Sequence, residues 1–169
     1  DRIVVDSILA WNNNKKVEIR SPKSTRPWQH VLEPLSGYLA LGEQLYENLE
    51  LNGEPFNFGP KAEQNRTVVN LLTDMGKSWG FTNDNNAFLI TGEVPFHEAI
   101  LLKLNCDKAL FHLKWESTLH YKETISFVSK WYYAFYKEKV NIYDFTQLQI
   151  DNYEKLAFER NKKWTLIQK

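Results

Sequence analysis

The residues best suited to chemistry in this chain are polar and cationic side chains next to prolines and turns. Arg26 lies in the stretch TRPWQHVLEPLSGYL (25–39), directly before Pro27 and two positions before Trp28. A guanidinium offers a planar fork of N–H donors that fits a phosphate or a carboxylate. The same side chain could instead stack on Trp28 at the surface. The residue types leave both an anion site and a cation–π contact open.

His97 and Asn57 are further candidates for contact with a polar ligand. An imidazole can donate to a phosphate or sugar oxygen, and the neighbouring Glu98 could hold His97 in one tautomer. Adjacent residues of an extended segment point to opposite faces, so these two side chains need not meet. Asn57 lies between Phe56 and Phe58, where its amide either satisfies a neighbouring loop or reaches a ligand.

Other motifs are absent from the sequence. The spacing of the four histidines and Cys106 fits no metal-ligand pattern. No GxGxxG or related glycine-rich loop occurs, so these residues carry no dinucleotide fingerprint. We therefore place neither a metal nor a cofactor on the residues of this chain.

Hydrophobic periodicity predicts the elements that position the first half of the chain. A helix is expected over 2–13, with Val4, Ile8 and Trp11 on one side, followed by a strand over 17–20. Pro34 suits the first turn of a second helix. We expect that helix to bury a stripe in which Gly42 allows a close backbone approach; the stripe comprises Leu35, Tyr38, Leu39, Gly42, Leu45, Tyr46 and Leu49. A short strand is predicted over 54–58.

The second half is predicted in the same way. Val68 to Trp79 should form a helix that stops at Gly80, and 87–91 a strand. A short helix capped by Asn105 should follow, over 105–112. A helix over 121–137 carries an aromatic stripe, which we interpret as core or subunit contact: Ile125, Val128, Tyr132, Phe135 and Tyr136. The last helix should begin at the capping pair Asp144 and Gln147 and bury the face formed by Phe145, Leu148, Asn152 and Leu156.

Composition limits the class of protein. The 169 residues fit a single domain with a substantial core. The 21 basic and 21 acidic residues cancel, which argues against a broad nucleic-acid or membrane footprint. The single cysteine suits a reducing compartment, and no apolar run reaches the length of a membrane span. We expect a cytoplasmic protein.

Four ordered stretches resemble the sugar-nucleotide dehydratases of the extended short-chain dehydrogenase class. TRPWQHVLEPLSGYL is similar to a signature in their substrate-binding half. Its sequence is closest to that of the members that dehydrate CDP-glucose. The other three stretches follow in the family's order: PFNFGP at 55–60, FHEAILLKLNCDKA at 96–109, and KWESTLHYKETISFVSKWYYAFY at 114–136. The resemblance covers nearly the whole chain.

The resemblance implies a mixed α/β, helix-rich, substrate-binding half with short strands and without the N-terminal Rossmann half. Because the chain begins at Asp1 and has Met75 as its only methionine, we expect it to be part of a longer protein. That protein would use NAD, bound outside this segment, to convert CDP-glucose into its 4-keto-6-deoxy product in deoxysugar biosynthesis. The catalytic residues would lie outside the segment too, and the segment alone would be inactive.

The resemblance also gives roles to individual residues. It places Arg26, His97 and Asn57 at the substrate, with Arg26 at the diphosphate, and makes Arg2, Ile19 and Arg20 candidates for the base and ribose end. An exposed strand position explains Arg20 equally well. The expected partners are a nucleotide sugar and further copies of the full-length enzyme.

One motif of this class is misleading here. Tyr133 and Lys137 have the YxxxK spacing of its catalytic pair, but they fall in the terminal helix of the family and follow no dinucleotide site. We interpret them as structural.

Two alternatives remain at this stage. One is another member of the class that acts on a UDP-, dTDP- or GDP-sugar, as epimerase or dehydratase. The other is a module for nucleotide-sugar binding or oligomerisation without chemistry of its own.

Overall fold

The computed structural model describes residues 2–91 and 102–166. These residues group into two compact units. Unit 1 contains residues 2–26, 66–91, 102 and 125–145, and unit 2 contains residues 27–65, 103–124 and 146–166.

The elements are short strands between longer helices. In chain order they are α1 (Ile3–Asn12), β1 (Val17–Ile19), β2 (Thr25–Arg26), α2 (Leu32–Glu47), β3 (Arg66–Thr67), α3 (Val68–Trp79), α4 (Asp84–Ala87), β4 (Phe88–Ile90), α5 (Asp107–Leu113), α6 (Tyr121–Tyr133) and α7 (Ile142–Glu159). Turns of 3-10 helix lie at Leu49–Leu51, Ala62–Gln64 and Lys163–Thr165, and a π-helical turn, Ala134–Glu138, follows α6. The prediction of a helix-rich α/β chain with short strands is confirmed.

In unit 1, a parallel strand pair and two helices surround a buried tryptophan. β1 pairs with β4, so that Val17 lies opposite Phe88. Trp11 of α1 is 1% exposed, and its indole N–H donates to the carbonyl of Ala87 at 2.7 Å. The predicted helix and strand at the start of the chain are both observed, and Ile8 and Trp11 are buried as expected.

α3 begins and ends through local sequence signals. The Thr67 hydroxyl accepts from the backbone N–H of Asn70 at 3.1 Å, and the Asn70 side chain returns a bond to Thr67, which closes a capping box. Gly80 ends the helix in the left-handed region with φ 105°. The apolar residues Leu71, Leu72, Met75 and Trp79, which recur at helical spacing, are buried. The prediction for this helix is confirmed.

In unit 2, α2 exists as predicted but buries a different face. Its buried residues are Glu33, Ser36, Gly37 and Ala40. Most of the predicted stripe is solvent-exposed, with Tyr38 at 59% and Leu39 at 77%, while Leu45 is half-buried against the core. That prediction is wrong because the small residues of the opposite face let α2 approach the aromatic core of unit 2.

The glycine that permits this approach is Gly37. A Cβ added to Gly37 would overlap the ring of Phe58, whereas one added to Gly42 would meet no atom within 4 Å. The predicted role of Gly42 is therefore wrong. Phe58 in turn packs edge-to-face on Trp115, with ring centroids 4.9 Å apart.

Three further predictions differ from the structure. Residues 54–58 form no strand in the described part of the chain, although Phe58 is buried. α6 ends at Tyr133, and Phe135 in the π-turn is 47% exposed. The N-cap residue of α5 is Cys106 and not Asn105. The side chain of Asn105 nevertheless accepts the backbone N–H of Asp107 at 2.9 Å.

α7 also buries another face than the one expected. Its buried residues in unit 2 are Gln149, Tyr153 and Ala157, while Leu148 is 55% exposed. The acceptor at its start is the Asn141 side chain, which receives the N–H of Tyr143 at 3.1 Å. The predicted cap at Asp144 is wrong. None of the described helices has the length and apolar character needed to span a bilayer.

Candidate functional site

Four of the predicted site residues lie in unit 1. Arg2 precedes α1 and is exposed, and its backbone N–H donates to the Asp6 carboxylate at 3.2 Å. Ile19 is 2% exposed, so its side chain belongs to the core and only its backbone could face a ligand. Arg20 directly follows β1 and is exposed. The roles of Arg2, Ile19 and Arg20 at the base and ribose end stay predictions.

Arg26 forms half of a short antiparallel strand pair. β2 pairs with β3 so that Thr25 lies opposite Thr67 and Arg26 opposite Arg66. Both arginines are half-buried. One Nη of Arg26 donates to the carbonyl of Thr25 at 2.9 Å. This bond holds that end of the guanidinium against its own strand.

Arg66 is a residue that the sequence reasoning missed. It lies in the tripeptide Asn65-Arg66-Thr67, ahead of a predicted helix, and no motif there suggests a ligand contact. Directly opposite residues of an antiparallel pair project to the same face with Cβ atoms about 4.5–5.5 Å apart. The strand register therefore places a second arginine side chain on the same face as Arg26. We call Arg26 and Arg66 the arginine pair.

The start of α3, directly after β3, is held by backbone bonds to the segment before β2. The N–H of Val68 donates to the carbonyl of Ser24 at 3.0 Å, and the N–H of Val69 donates to that of Pro22 at 3.1 Å. These bonds fix the start of α3 against the strand that carries Arg26.

The remaining predicted residues are placed differently. Asn57 is exposed in unit 2, and its Nδ2 donates to the carbonyl of Asn105 at 3.2 Å. This bond gives Asn57 the structural role that was one of its two possibilities from the sequence. Contact of Asn57 with a ligand stays a prediction. His97 lies outside the described residues.

Unit 2 contains a buried polar network that the sequence did not predict. Glu33 is 1% exposed, and its carboxylate accepts the N–H groups of Thr118 at 2.9 Å and Leu119 at 2.6 Å. The hydroxyl of Tyr153 donates to the same carboxylate at 3.1 Å. Burial raises the pKa of Glu33, and the three donors oppose that shift.

A second layer extends this network to the aromatic core. The hydroxyl of Ser36 donates to the carbonyl of Glu33 at 2.8 Å and accepts the indole N–H of Trp115 at 3.0 Å. The network thus joins α2 to the segment before α6 and to α7 through a single carboxylate. Each donor named in this network has its acceptor within unit 2. Such a network is typical of groups that hold segments in place rather than of a reactive centre.

A mostly apolar groove of about 540 Å³ lies beside this network between α2 and α7. Leu35, Leu39 and Ile150 contribute to its walls together with Tyr153 and Trp164. The rings of Tyr153 and Trp164 stack with centroids 5.9 Å apart. Part of the apolar face of α2 that was predicted to be buried therefore forms a wall of this groove.

The YxxxK pair contacts a core aromatic. The ring of Tyr133 lies edge-to-face on Trp79 with centroids 5.7 Å apart, and the Lys137 ammonium lies 5.5 Å from the centre of the same ring. Both side chains thus pack on Trp79 of α3, and their interpretation as structural stays a prediction.

Comparison with known proteins identifies one curated relative in sequence. The chain is 42% identical over 134 residues to a CDP-glucose 4,6-dehydratase of Salmonella typhimurium, in the C-terminal part of that protein. The match covers 79% of this chain and 36% of the relative, so the chain corresponds to about a third of the relative's length. No family model matches the chain.

Comparison with solved structures supports the same class of fold. The crystal structure of UDP-glucuronic acid 4-epimerase from Bacillus cereus, in complex with UDP-glucuronic acid and NAD, matches with a TM-score of 0.58 at 15% identity. That match covers 78% of this chain and 40% of the epimerase. At this identity the likeness concerns the fold alone. Together with the sequence match, it confirms the resemblance of this chain to the C-terminal part of the sugar-nucleotide dehydratases of the extended short-chain dehydrogenase class.

Proposed function

We propose that this chain is the substrate-binding part of an NAD-dependent 4,6-dehydratase that converts CDP-glucose into CDP-4-keto-6-deoxyglucose. The observation that carries the proposal is the 42% identity over 134 residues to a CDP-glucose 4,6-dehydratase. Identity at this level over most of a chain goes well beyond a shared fold, which many unrelated activities use.

We assign no NAD site to the residues of this chain. The sequence has no glycine-rich loop that could approach a pyrophosphate closely at the start of a helix. NAD would supply the uptake and return of a hydride from another part of the protein. We assign to this chain only the binding and orientation of the nucleotide sugar.

Arg26 is the residue through which we expect this chain to hold the diphosphate. It is half-buried on β2, where a charge-assisted bond is worth roughly 1.5–3 kcal/mol. A fixed guanidinium binds the ground state and the transition state alike, because the diphosphate does not react. Its removal should therefore raise KM with little change in kcat.

The first test is the activity of the full-length protein with CDP-glucose and NAD. We expect a product that has lost one water, detected by mass spectrometry, and no such product from UDP-, dTDP- or GDP-glucose. A thermal-shift series with CDP, UDP, dTDP and GDP should show stabilisation by CDP above the others. Preference for another nucleotide would assign the protein to a different member of the class, and no turnover of any nucleotide sugar would contradict the proposal.

A further inference from the structure

We propose that residues 160–166, which follow α7, form a strap that ionic contacts hold over the buried carboxylate network of unit 2. The strap detaches as a local unit while the helices of unit 2 stay folded. All of its contacts described below lie within unit 2. The proposal goes beyond the proposed function and does not depend on the nucleotide sugar.

The segment that the strap contacts is buried although it has no regular secondary structure. Residues 116–120 lie between α5 and α6, and Ser117, Thr118 and Leu119 are at most 7% exposed. The Glu33 carboxylate accepts the N–H groups of Thr118 and Leu119. The carbonyl of Thr118 needs a donor from elsewhere, because a buried backbone acceptor without a partner destabilises the fold.

Arg160 supplies that donor and is the first anchor of the strap. One Nη of Arg160 donates to the carbonyl of Thr118, and its two Nη groups donate to the two carboxylate oxygens of Glu123 at 2.9 and 2.6 Å. Such a bidentate pair is strong and specific in geometry. The side chains of Arg160 and Glu123 are 26% and 30% exposed, so salt in the solvent still weakens their attraction.

Lys162 is the second anchor, and it shares its partner with another cation. The Nζ of Lys162 lies 3.0 Å from one carboxylate oxygen of Glu116, and the Nζ of Lys61 lies 3.0 Å from the other. Because Lys61 does not belong to the strap, Glu116 keeps a partner when Lys162 leaves. Lys162 itself is 9% exposed, so opening returns a buried ammonium group to water. This anchor therefore opens at a low electrostatic cost.

Trp164 is the third anchor and covers the network directly. Its ring stacks on Tyr153, which is 3% exposed and donates to the Glu33 carboxylate. The indole N–H of Trp164 is buried and has no hydrogen-bond partner among the residues that the structure describes. Water would satisfy this donor in the open strap, so the unpaired N–H lowers the stability of the closed one.

The backbone separates the strap from α7. Asn161 has φ 52°, in the left-handed region, and the helix does not continue beyond it. The following 3-10 turn, Lys163–Thr165, has its own bond from the N–H of Thr165 to the carbonyl of Lys162 at 2.9 Å. Opening breaks the backbone bonds of the last turn before the strap and leaves the rest of the helix intact. The strap thus has the features of a segment with a low free energy of local opening.

The test measures amide hydrogen exchange by mass spectrometry in the full-length protein, at about 0.1 M and about 1 M sodium chloride. The variants are Arg160→Gln, Glu123→Gln, the double variant, and Arg160→Lys, which keeps the charge and removes the fork. Lys155→Gln is the matched control, because it removes an exposed cation of α7 that lies 4.0 Å from Glu159 and outside the strap. Residues 36–44 of α2 are the reference for the rest of unit 2.

We expect residues 160–166 to exchange faster than the reference in the unaltered protein. Arg160→Gln should speed their exchange about tenfold further and leave the reference unchanged. The double variant should add less than the product of the two single effects, because both substitutions break the same pair. Arg160→Lys should have a smaller effect than Arg160→Gln, and Lys155→Gln should have none.

The response to salt tests the ionic nature of the anchors. The higher salt concentration should speed exchange of 160–166 in the unaltered protein, and by a smaller factor in Arg160→Gln. Three outcomes would overturn the strap. Equal exchange rates of 160–166 and the reference would show that no local unit opens, and unchanged exchange in Arg160→Gln would show that the pair does not lock it. Equal acceleration of strap and reference in that variant would show a general loss of stability instead.

Discussion

At the scale of single residues, the most consequential side chain in unit 2 is one that sequence patterns treat as ordinary. Glu33 lies in the first turn of α2, where an acidic residue usually faces solvent and complements the helix dipole. In the structure it is buried and accepts three hydrogen bonds from two other segments. A buried carboxylate with all its partners present fixes the geometry of the elements around it.

Glu33→Gln should destabilise unit 2 by about 2–3 kcal/mol, because an amide presents donors toward backbone N–H groups that the carboxylate satisfied. Urea denaturation of the two proteins would measure this difference. Glu43→Gln is the control, since Glu43 lies on the same helix and is exposed, and we expect a change within about 0.5 kcal/mol. Similar effects of the two substitutions would show that the Glu33 network contributes nothing special to stability.

The buried His30 should make the stability of the protein depend on pH. Burial lowers its pKa to about 4, and its Nδ1 accepts the backbone N–H of Leu32 at 3.3 Å. The folded state thus favours the neutral ring, whereas the unfolded chain takes up a proton near pH 6.5. Because the unfolded state binds more protons in this window, His30 makes stability fall as the pH drops from 6.5 toward 4.

The size of that effect is on the order of 3 kcal/mol across the window. Urea denaturation of the unaltered protein and of His30→Gln at pH 7 and at pH 4.5 would isolate it, because carboxylates contribute equally to both proteins. The gap between the two proteins should shrink or reverse at the lower pH. A gap that is the same at both pH values would contradict the assignment of a buried neutral imidazole.

At the scale of elements, two glycines of α2 make a matched pair. Gly37 faces the ring of Phe58, and Gly42 faces open space. Gly37→Ala should destabilise the protein by about 1–3 kcal/mol because the methyl group overlaps a buried ring. Gly42→Ala should stabilise it by roughly 0.5–1 kcal/mol, since alanine favours the helix interior.

Thermal or urea unfolding of the two variants would measure these opposite signs. The comparison is sharp because both changes add one methyl group to the same helix. If Gly42→Ala were the damaging substitution, α2 would bury the face that the sequence pattern predicts, and the observed packing would be contradicted.

At the scale of the whole molecule, the described residues group into two compact units, and the arginine pair belongs to unit 1. A bound ligand stabilises most strongly the segments that it contacts. We therefore expect CDP-glucose to slow amide exchange in the full-length protein at 25–26 and 66–70.

Hydrogen exchange followed by mass spectrometry would measure this. The buried part of α7 in unit 2, residues 149–157, serves as the internal reference and should change little. Protection confined to other segments, with none at β2 and β3, would contradict the expected placement of the diphosphate at Arg26.

The sequence by itself determined the class of the fold, the family resemblance and most helix positions. α3 shows why: its capping box at Thr67 and its stop at Gly80 are local signals, and they act on the backbone within one turn. Arg26 and its neighbours were recognisable for the same reason, because a motif is a local string of residues.

Tertiary structure alone decided which faces are buried and which residues meet. On α2 and α7 apolar residues of the predicted faces such as Leu39 and Leu148 are exposed, and faces containing Gly37, Ser36 and Tyr153 are buried instead. A hydrophobic stripe indicates a helix, but the partner available decides which side packs, and here small and hydrogen-bonding side chains fit it best. Likewise, Arg66 joins Arg26 through a strand register that spans 40 positions of the chain, which no local pattern encodes.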